Sequence, residues 1–312
     1  MKDEGTVVKS TGSWSFVETP SGKIVSCKIK GKFKTSGIKT TNPVAVGDKV
    51  EFEYIENDTV GLITNILPRN NYIIRKSTNL SKSEQIIAAN IDTCIIIATI
   101  KQPKTSTGFI DRVLTTAEAY HIPAVIVFNK FDLCDEKCHE RLADLMYIYE
   151  NAGYKVLITS AVKGTGLSEL ENLLRNKTSL ITGHSGVGKS ALINAIMPSL
   201  DIKIGDISQY HEKGKHTTTF ATMYKLPIGG YIIDTPGVKE FGLADMDKTE
   251  IAERFPEIRK YQHDCKFNNC THTNEPGCAI VKLVENGTIP QERYNNYLSI
   301  ISDDYFDENK YD

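Results

Sequence analysis

The chain contains the stretch Leu180-Ile181-Thr182-Gly183-His184-Ser185-Gly186-Val187-Gly188-Lys189-Ser190-Ala191, in which an apolar run, a glycine-rich turn and the start of a helical pattern follow one another. The spacing Gly-x4-Gly-Lys-Ser is typical of a phosphate-binding loop, whose glycines let backbone N–H groups converge on phosphate oxygens at the positive end of a helix. We expect Lys189 to neutralise the β- and γ-phosphates and to act in catalysis, and the Ser190 hydroxyl to bind Mg²⁺. Residues 183–191 are therefore predicted to surround the phosphates of a nucleotide.

A second motif, Asn129-Lys130-Phe131-Asp132, follows the apolar run 124–128. The Asp132 carboxylate can accept hydrogen bonds from N1–H and the 2-amino group of guanine. Adenine has neither donor, so its binding would leave a desolvated carboxylate unpaired. Ser160-Ala161, after the apolar run 156–159, is expected to place a backbone amide near guanine O6. Together with the phosphate loop, these motifs predict a site for GTP rather than ATP.

The order of the two motifs is the reverse of the usual one. In an ordinary GTPase the phosphate loop opens the domain and the base-reading motif follows near its end. Here Asn129 precedes Gly183, so the sequence predicts a circularly permuted GTPase domain. The tetrapeptide Asp234-Thr235-Pro236-Gly237 comes later, after the apolar run 231–233. We expect Asp234 to hold Mg²⁺ through water and the Gly237 amide to contact the γ-phosphate.

The segment between the phosphate loop and Asp234 ends in Gly214-Lys215-His216-Thr217-Thr218-Thr219. A threonine in it is expected to complete the Mg²⁺ shell when GTP is bound, with Thr218 preferred and Thr217 as the alternative. Val238 stands where many GTPases carry the glutamine that orients the attacking water, and a valine cannot do so. His216 is the nearest candidate for this catalytic role, against the alternative of a surface histidine in a flexible loop.

A cysteine cluster near the end of the chain has the spacing Cys265-x4-Cys270-x-His272-x5-Cys278. Three thiolates and one imidazole match the ligand set of a closed, tetrahedral structural zinc site. Nothing nearby indicates an open coordination position for catalysis. We therefore expect Zn²⁺ to fold a small C-terminal module.

The other cysteines give weaker patterns. Cys134 and Cys138 are spaced i, i+4 on a predicted helix next to His139, with no fourth ligand in reach, so we expect no metal there. Cys27 and Cys94 stand in predicted strands and are expected to be ordinary core thiols. His263 is close to the zinc motif, but the four-ligand set is complete without it.

Residues 1–70 consist of short β-like runs separated by turn residues, which predicts a small antiparallel barrel of about five strands, such as an OB-fold. Between Ser21 and Gly47 there are six lysines and no acidic residue. These are Lys23, Lys28, Lys30, Lys32, Lys34 and Lys39. A positive stripe on a barrel favours contact with nucleic-acid phosphates, and the alternative is a solvated edge strand protected against aggregation.

The whole chain is predicted to be a multidomain α/β protein of three units. The barrel is followed by a doubly wound α/β GTPase domain over 71–245 and by a helical zinc-binding domain over 246–312. The last domain is expected to have helices over 249–261 and 291–301 and a frayed acidic tail from residue 303. No apolar run approaches the ~18 residues of a membrane span, so we expect no membrane contact. Seven cysteines, an odd number, suit a reducing cytosol, and we expect a cytoplasmic monomer.

Taken together, these motifs resemble the ribosome-small-subunit-dependent GTPase A family, RsgA. The resemblance covers nearly the whole chain and depends on the permuted motif order, the string 214–219 and the zinc spacing. The family's usual string is Gly-Arg-His-Thr-Thr-Thr, so Lys215 keeps the charge of the arginine but not its bidentate geometry.

The resemblance implies a cytoplasmic bacterial GTPase that binds the small (30S) ribosomal subunit late in its maturation. The barrel and the zinc module would grip rRNA, and ribosome-stimulated hydrolysis of GTP to GDP and phosphate would time association and release. Two alternatives stay open. One is a nucleotide-gated RNA-binding module whose hydrolysis is incidental, and the other is a permuted GTPase that acts on the large subunit.

Overall fold

The computed structural model of the chain describes residues 2–11, 13–29, 43–55, 59–76, 84–198, 221–234 and 246–302. Within these ranges, none of the helices has the length and apolar content that crossing a membrane requires. Four lysines of the predicted positive stripe and the acidic tail fall outside the described residues. They are Lys30, Lys32, Lys34, Lys39 and residues 303–312.

The first five strands form the predicted OB-fold barrel. They are β1 (Lys2–Ser10), β2 (Ser15–Glu18), β3 (Ile24–Ile29), β4 (Lys49–Ile55) and β5 (Val60–Ile66). Their order is β1-β2-β3-β5-β4, and pairing of β4 with β1 closes the barrel. Alternate side chains point inward because successive residues of a strand face opposite sides, so Val50, Phe52 and Ile63 are fully buried. The five-stranded barrel is therefore confirmed, but its prediction as wholly antiparallel is wrong, because β3 pairs with β5 in parallel.

A second group of six strands, called the GTPase sheet below, follows the barrel and a two-stranded hairpin. The hairpin is formed by β6 (Tyr72–Lys76) and β7 (Glu84–Ala89). The sheet strands are β8 (Thr93–Ala98), β9 (Ala124–Phe128), β10 (Lys155–Ile158), β11 (Lys177–Thr182), β12 (Thr222–Lys225) and β13 (Gly230–Asp234). They lie in the order β10-β9-β8-β11-β13-β12, and every pair is parallel except β12 with β13.

Helices cover both faces of this sheet, as predicted for a doubly wound fold. They are α1 (Thr107–Ala119), α2 (Glu136–Asn151), α3 (Leu167–Leu174) and α4 (Lys189–Ile196). Every residue of β8 is buried, and alternate residues belong to two different cores. Cys94 and Ile96 pack in the core that includes α1 and α2, whereas Ile95 and Ile97 pack in the core that includes α3 and α4. Burial on both faces explains why β8 reads as a continuous apolar run.

The barrel and the GTPase sheet are continuous. Lys9 of β1 pairs with Thr222 of β12, so the strands form one eleven-stranded sheet. Next to this junction, the buried Glu18 carboxylate accepts hydrogen bonds from Lys225 Nζ and, at 3.0 Å, from the Tyr231 hydroxyl. The junction therefore has both backbone and charged side-chain contacts.

The C-terminal module differs from its prediction in one respect. Its helices are α5 (Lys248–Glu253), α6 (Pro256–Tyr261), α7 (Ala279–Glu285) and α8 (Gln291–Ile301). The single helix predicted over 249–261 is wrong, because Pro256 begins a new helix and leaves Phe255 extended (φ −101°, ψ 106°). A proline disfavours helical geometry in the residue before it and is well tolerated at a first helical position. The helix predicted over 291–301 is confirmed as α8.

A buried ion cluster joins this module to α1. Arg293 of α8 donates from Nη1 to Asp111 Oδ1 of α1 at 2.5 Å and from Nε to Glu257 Oε1 of α6 at 2.6 Å. Asn296 Nδ2 donates to the other Asp111 oxygen at 2.6 Å. The side chains of Arg293, Asp111 and Glu257 are 2%, 0% and 9% exposed, so the three charges pair with one another largely out of contact with solvent. The cluster therefore fixes where the C-terminal module sits on the GTPase domain.

Replacement of Arg293 by methionine should lower the opening free energy of α8 by about 3–5 kcal/mol, because two buried carboxylates lose their cation. Native-state hydrogen exchange of α8 measures this free energy. The control is Arg259→Ala, which removes a half-exposed ion pair with Glu118 across the same interface and should cost less than about 1 kcal/mol. Equal costs for the two variants would contradict the proposed importance of burial.

Candidate nucleotide and metal sites

The predicted nucleotide motifs lie on loops at one edge of the sheet. The Asn129 motif follows β9, Ser160 follows β10, and the phosphate loop joins β11 to α4. Because β8, β9, β10 and β11 are parallel neighbours, the loops at their carboxyl ends meet at the same edge. Asp234 is the last residue of the next parallel strand, β13. The structure thus brings together at this edge the motifs that the sequence places in reversed order.

Close approach of the backbone explains two glycines of the phosphate loop. Gly183 and Gly188 have φ of +147° and +93°, values that side chains rarely tolerate. A Cβ at Gly183 would come within 2.2 Å of the Ile97 carbonyl oxygen, and one at Gly188 within 2.5 Å of Asn129 Nδ2. The loop is therefore packed directly against the end of β8 and against the base-reading motif.

The Lys189 side chain turns back over the phosphate loop. Its ammonium donates to the backbone oxygens of Gly183 at 2.7 Å and His184 at 2.8 Å. The charged Lys189 ammonium can exchange these two neutral carbonyl oxygens for anionic oxygens with little change in its position. Ser190 is buried in the first turn of α4, directly after this lysine.

The Asn129 amide forms hydrogen bonds that connect the loop after β9 to the phosphate loop and to the segment after β10. Its Nδ2 donates to the Val187 carbonyl of the phosphate loop at 2.9 Å, and its Oδ1 accepts from Thr159 Oγ1 at 3.1 Å. Both hydrogen bonds are buried, so water does not compete for them. Asn129 is therefore a positioning residue within the base-reading motif.

The rest of the base-reading motif is more open. Asp132 is exposed, and its Oδ1 accepts from the Ser160 hydroxyl at 2.5 Å. Lys130 has a left-handed backbone (φ +63°) and donates from Nζ to the Gln102 carbonyl at 2.6 Å. From the segment at Ser160 only a backbone amide was predicted, and the structure adds a side chain that orients the Asp132 carboxylate.

Sequence reasoning missed the loop between β8 and α1. Its Gln102 carbonyl holds Lys130, and Pro103 lies against Gly186 of the phosphate loop, 3.4 Å from where a Cβ would stand. Phe109 lies in the first turn of α1, and its ring centroid is 4.0 Å from that of His184 in the phosphate loop. The β8–α1 loop could have been identified from its position after a buried parallel strand, since loops at the carboxyl ends of such strands lie at the ligand-binding edge of the sheet.

Cys134 and Cys138 correct another expectation. Cys134 lies before the helix rather than on it, since Asp135 is the N-cap of α2, and the two sulfurs form a disulfide. Next to them, the His139 ring lies 5.0 Å from that of Phe131 in the base-reading motif. Cys27 and Cys94 are confirmed as core thiols. Both are buried in strands, and burial raises the pKa of each thiol to about 12.

The four predicted zinc ligands come together in the C-terminal module. The ligand atoms of Cys265, Cys270, His272 and Cys278 all lie within 4.8 Å of one another. Cys265 Sγ is 3.5 Å from His272 Nδ1 and 4.0 Å from Cys278 Sγ, and Cys278 Sγ is 3.7 Å from His272 Nδ1. A tetrahedral ion with bonds of about 2.3 Å to sulfur requires edges of about 3.8 Å. The donor set and its spacing therefore fit one metal ion.

The surroundings of the cluster hold it in place. Backbone N–H groups of Ala279 and Val281 donate to the sulfurs of Cys265 and Cys278 at 3.4 and 3.5 Å. These donors stabilise thiolates, since they favour the charged form. Burial raises the pKa of the Cys270 thiol to about 12, so binding of a metal ion would have to displace its proton.

The loop that carries His272 is fixed by its own hydrogen bonds. The Glu275 carboxylate accepts from the backbone N–H and the hydroxyl of Thr271, both at 2.6 Å. The hydroxyls of Tyr294 and Tyr297 in α8 donate to the carbonyls of His272 and Thr271 at 2.7 and 2.6 Å. The metal ligands are thereby connected to the helix that docks on α1.

Several predicted site residues lie wholly or partly outside the described structure. The side chain of Asp234 is not described, although its backbone ends β13. The remaining predictions lie outside the described residues, namely Lys215, His216, Thr217, Thr218, Gly237 and Val238.

Known proteins resemble this chain over nearly its full length. Two family models match it, the RsgA N-terminal domain over residues 4–63 and the RsgA GTPase over residues 66–244. The small ribosomal subunit biogenesis GTPase RsgA of Bacteroides fragilis (strain YCH46) is 49% identical over 308 residues, which cover 99% of this chain and 98% of that protein.

Two solved structures resemble it as well. The crystal structure of YjeQ from Thermotoga maritima has a TM-score of 0.77 and 34% identity, covering 97% of this chain and 98% of that one. The structure of YloQ, a circularly permuted GTPase, has a TM-score of 0.74 and 30% identity, covering 97% and 95%. The resemblance and the permuted fold expected from the motifs are thereby confirmed.

The metal cluster predicts a stoichiometric metal ion that depends on its buried thiol ligands. Purified chain should hold about one metal ion by elemental mass spectrometry, and Cys270→Ser should lose it, because a closed tetrahedral site needs four ligands. Cys94→Ala is the matched control, since it removes a buried thiol that does not belong to the cluster. Retention of the metal ion by Cys270→Ser would show that the cluster is not the site.

Proposed function

This chain belongs to the RsgA GTPase family, and on that premise we propose that it hydrolyses GTP while bound to the small ribosomal subunit, late in that subunit's maturation. The observation that carries the proposal is the buried Asn129 amide, which joins the base-reading motif to the phosphate loop. A single pocket can then bind the base and the phosphates together. Hydrolysis yields GDP and phosphate.

In this proposal the phosphate loop, residues 183–191, cradles the triphosphate with its backbone N–H groups. Lys189 exchanges the Gly183 and His184 carbonyls for oxygens of the β- and γ-phosphates. Ser190 and Thr218 would hold Mg²⁺, and Asp234 would hold it through water. When bound, the ion would supply further positive charge against the phosphates. The Gly237 amide contacts the γ-phosphate.

Guanine is read by Asp132, whose carboxylate accepts from N1–H and the 2-amino group. The Ser160 hydroxyl supports this role because it already orients one carboxylate oxygen. Lys130 and Phe131 flank the base, and the Ala161 amide reaches guanine O6. An adenine base would leave the carboxylate without donors, which penalises ATP.

The barrel and the C-terminal module are proposed to bind rRNA. On the barrel, Lys28 lies 4.9 Å from the centroid of the Trp14 ring, and Lys23 lies 5.4 Å from that of Tyr54. Lysines beside aromatic rings offer both charge and stacking surface to nucleic acid.

We assign the barrel to residues 1–70, the GTPase domain to 71–245 and the zinc module to 246–312. Zn²⁺ is the proposed metal, since three thiolates and one imidazole suit it best. We further propose a cytoplasmic monomer.

Separated ribosomal subunits test the proposed function. The chain, loaded with a non-hydrolysable GTP analogue, should sediment with small subunits and not with large ones. Small subunits should also raise the rate of single-turnover GTP hydrolysis at least about tenfold, which corresponds to a decrease of about 1.4 kcal/mol in the activation free energy. Co-sedimentation with large subunits would instead support a large-subunit factor. Binding to small subunits without stimulation would support a nucleotide-gated RNA-binding module.

Replacement of His216 by alanine should lower GTP turnover at least about tenfold with little loss of GTP affinity, because His216 is proposed to orient the attacking water in place of the missing glutamine at Val238. Single-turnover hydrolysis and equilibrium binding measure the two quantities separately. The matched control is His263→Ala, which removes a histidine near the metal cluster and should leave turnover unchanged. Unchanged turnover in His216→Ala would remove His216 from the mechanism.

A further inference from the structure

We infer that α8 of the C-terminal module positions the phosphate loop through the start of α1, with Glu292 and Phe109 as positioning residues. The inference rests on the proposed binding of GTP at that loop. It differs from the role of Arg293, which docks the module further along α1, at Asp111.

Glu292 connects α8 to both helices on its side of the sheet. Its Oε1 accepts from Thr107 Oγ1 of α1 at 2.8 Å and from Arg141 Nη2 of α2 at 2.5 Å. Thr107 is the first residue of α1, directly after the N-cap Ser106. One carboxylate oxygen therefore fixes the point where α1 leaves the β8–α1 loop. The carboxylate also lies at the positive end of the α1 dipole, which favours its charge.

Phe109 connects the start of α1 to the phosphate loop by direct contact. Its backbone N–H donates to Ser106 Oγ at 3.2 Å, which fixes it in the first turn of α1. Its ring lies 4.0 Å, centroid to centroid, from the ring of His184, with an interplanar angle of 36°. The His184 carbonyl in turn accepts from Lys189 Nζ. Adjacent contacts therefore run from the C-terminal module to the lysine that is proposed to bind the phosphates.

A phosphate loop depends on the aim of its backbone N–H groups, so small displacements lower affinity. The same start of α1 ends the loop that holds Lys130 through the Gln102 carbonyl. A shift there would disturb the two parts of the nucleotide pocket together. The side chains of Glu292 and Arg141 are 31% and 40% exposed, so their contribution to global stability is small. Loss of Glu292 should therefore be visible in nucleotide binding rather than in folding.

The test compares GTP affinities, measured by calorimetry with Mg²⁺ on the full chain. Glu292→Ala and Phe109→Ala should each weaken GTP binding about 5- to 20-fold, within the usual range of coupling between sites. The double variant should bind about as weakly as the weaker single variant, because the two residues act in series. Glu292→Gln keeps an accepting oxygen and should restore most of the affinity.

The control is Arg259→Ala, which removes an ion pair to Glu118 near the opposite end of α1 and should leave GTP affinity unchanged. Urea unfolding midpoints of Glu292→Ala and wild type should agree, which excludes a general loss of structure. The inference is overturned if wild type binds GTP and both single variants bind it with the same affinity as wild type. It is also overturned if the two effects multiply in the double variant. Failure of wild type to bind GTP would instead overturn the proposed function.

Discussion

The proposed nucleotide pocket depends on two buried hydrogen bonds to one side chain. The Asn129 amide donates to the phosphate loop at Val187 and accepts from Thr159 at the end of the β10 segment. These contacts depend on which strands are neighbours in the sheet and not on where the chain begins. The strand order β10-β9-β8-β11-β13 places the loops side by side. A rotated chain order can therefore produce the same pocket as the usual one.

The two other units attach to this core at different places. The barrel continues the sheet through the pairing of β1 with β12, supported by the buried Glu18. The C-terminal module docks on α1 through the buried Arg293 cluster and reaches the start of α1 through Glu292. Each proposed RNA-binding unit thus contacts an element adjacent to the nucleotide loops. This arrangement gives a physical basis for the proposal that GTP hydrolysis responds to a bound ribosomal subunit.

Much of this architecture was predictable from local patterns. The buried run of β8, the glycine spacing of the phosphate loop and the metal ligand set each have a local physical cause that the sequence displays. The break at Pro256 was also visible in the sequence, but helical periodicity on both sides concealed it. Contacts between distant segments were not predictable, because no local pattern specifies them. Examples are the Arg293 cluster, the hydrogen bond from Lys130 to the Gln102 carbonyl and the hydrogen bond from Ser160 to Asp132.

The central claim is that loops in rotated order form one pocket that selects guanine. Calorimetric titration of the purified chain with GTP and with ATP, both with Mg²⁺, tests it most directly. The account predicts one GTP site and at least about 100-fold weaker binding of ATP, since adenine leaves the Asp132 carboxylate unpaired. Equal affinity for both nucleotides, or binding of neither, would contradict it.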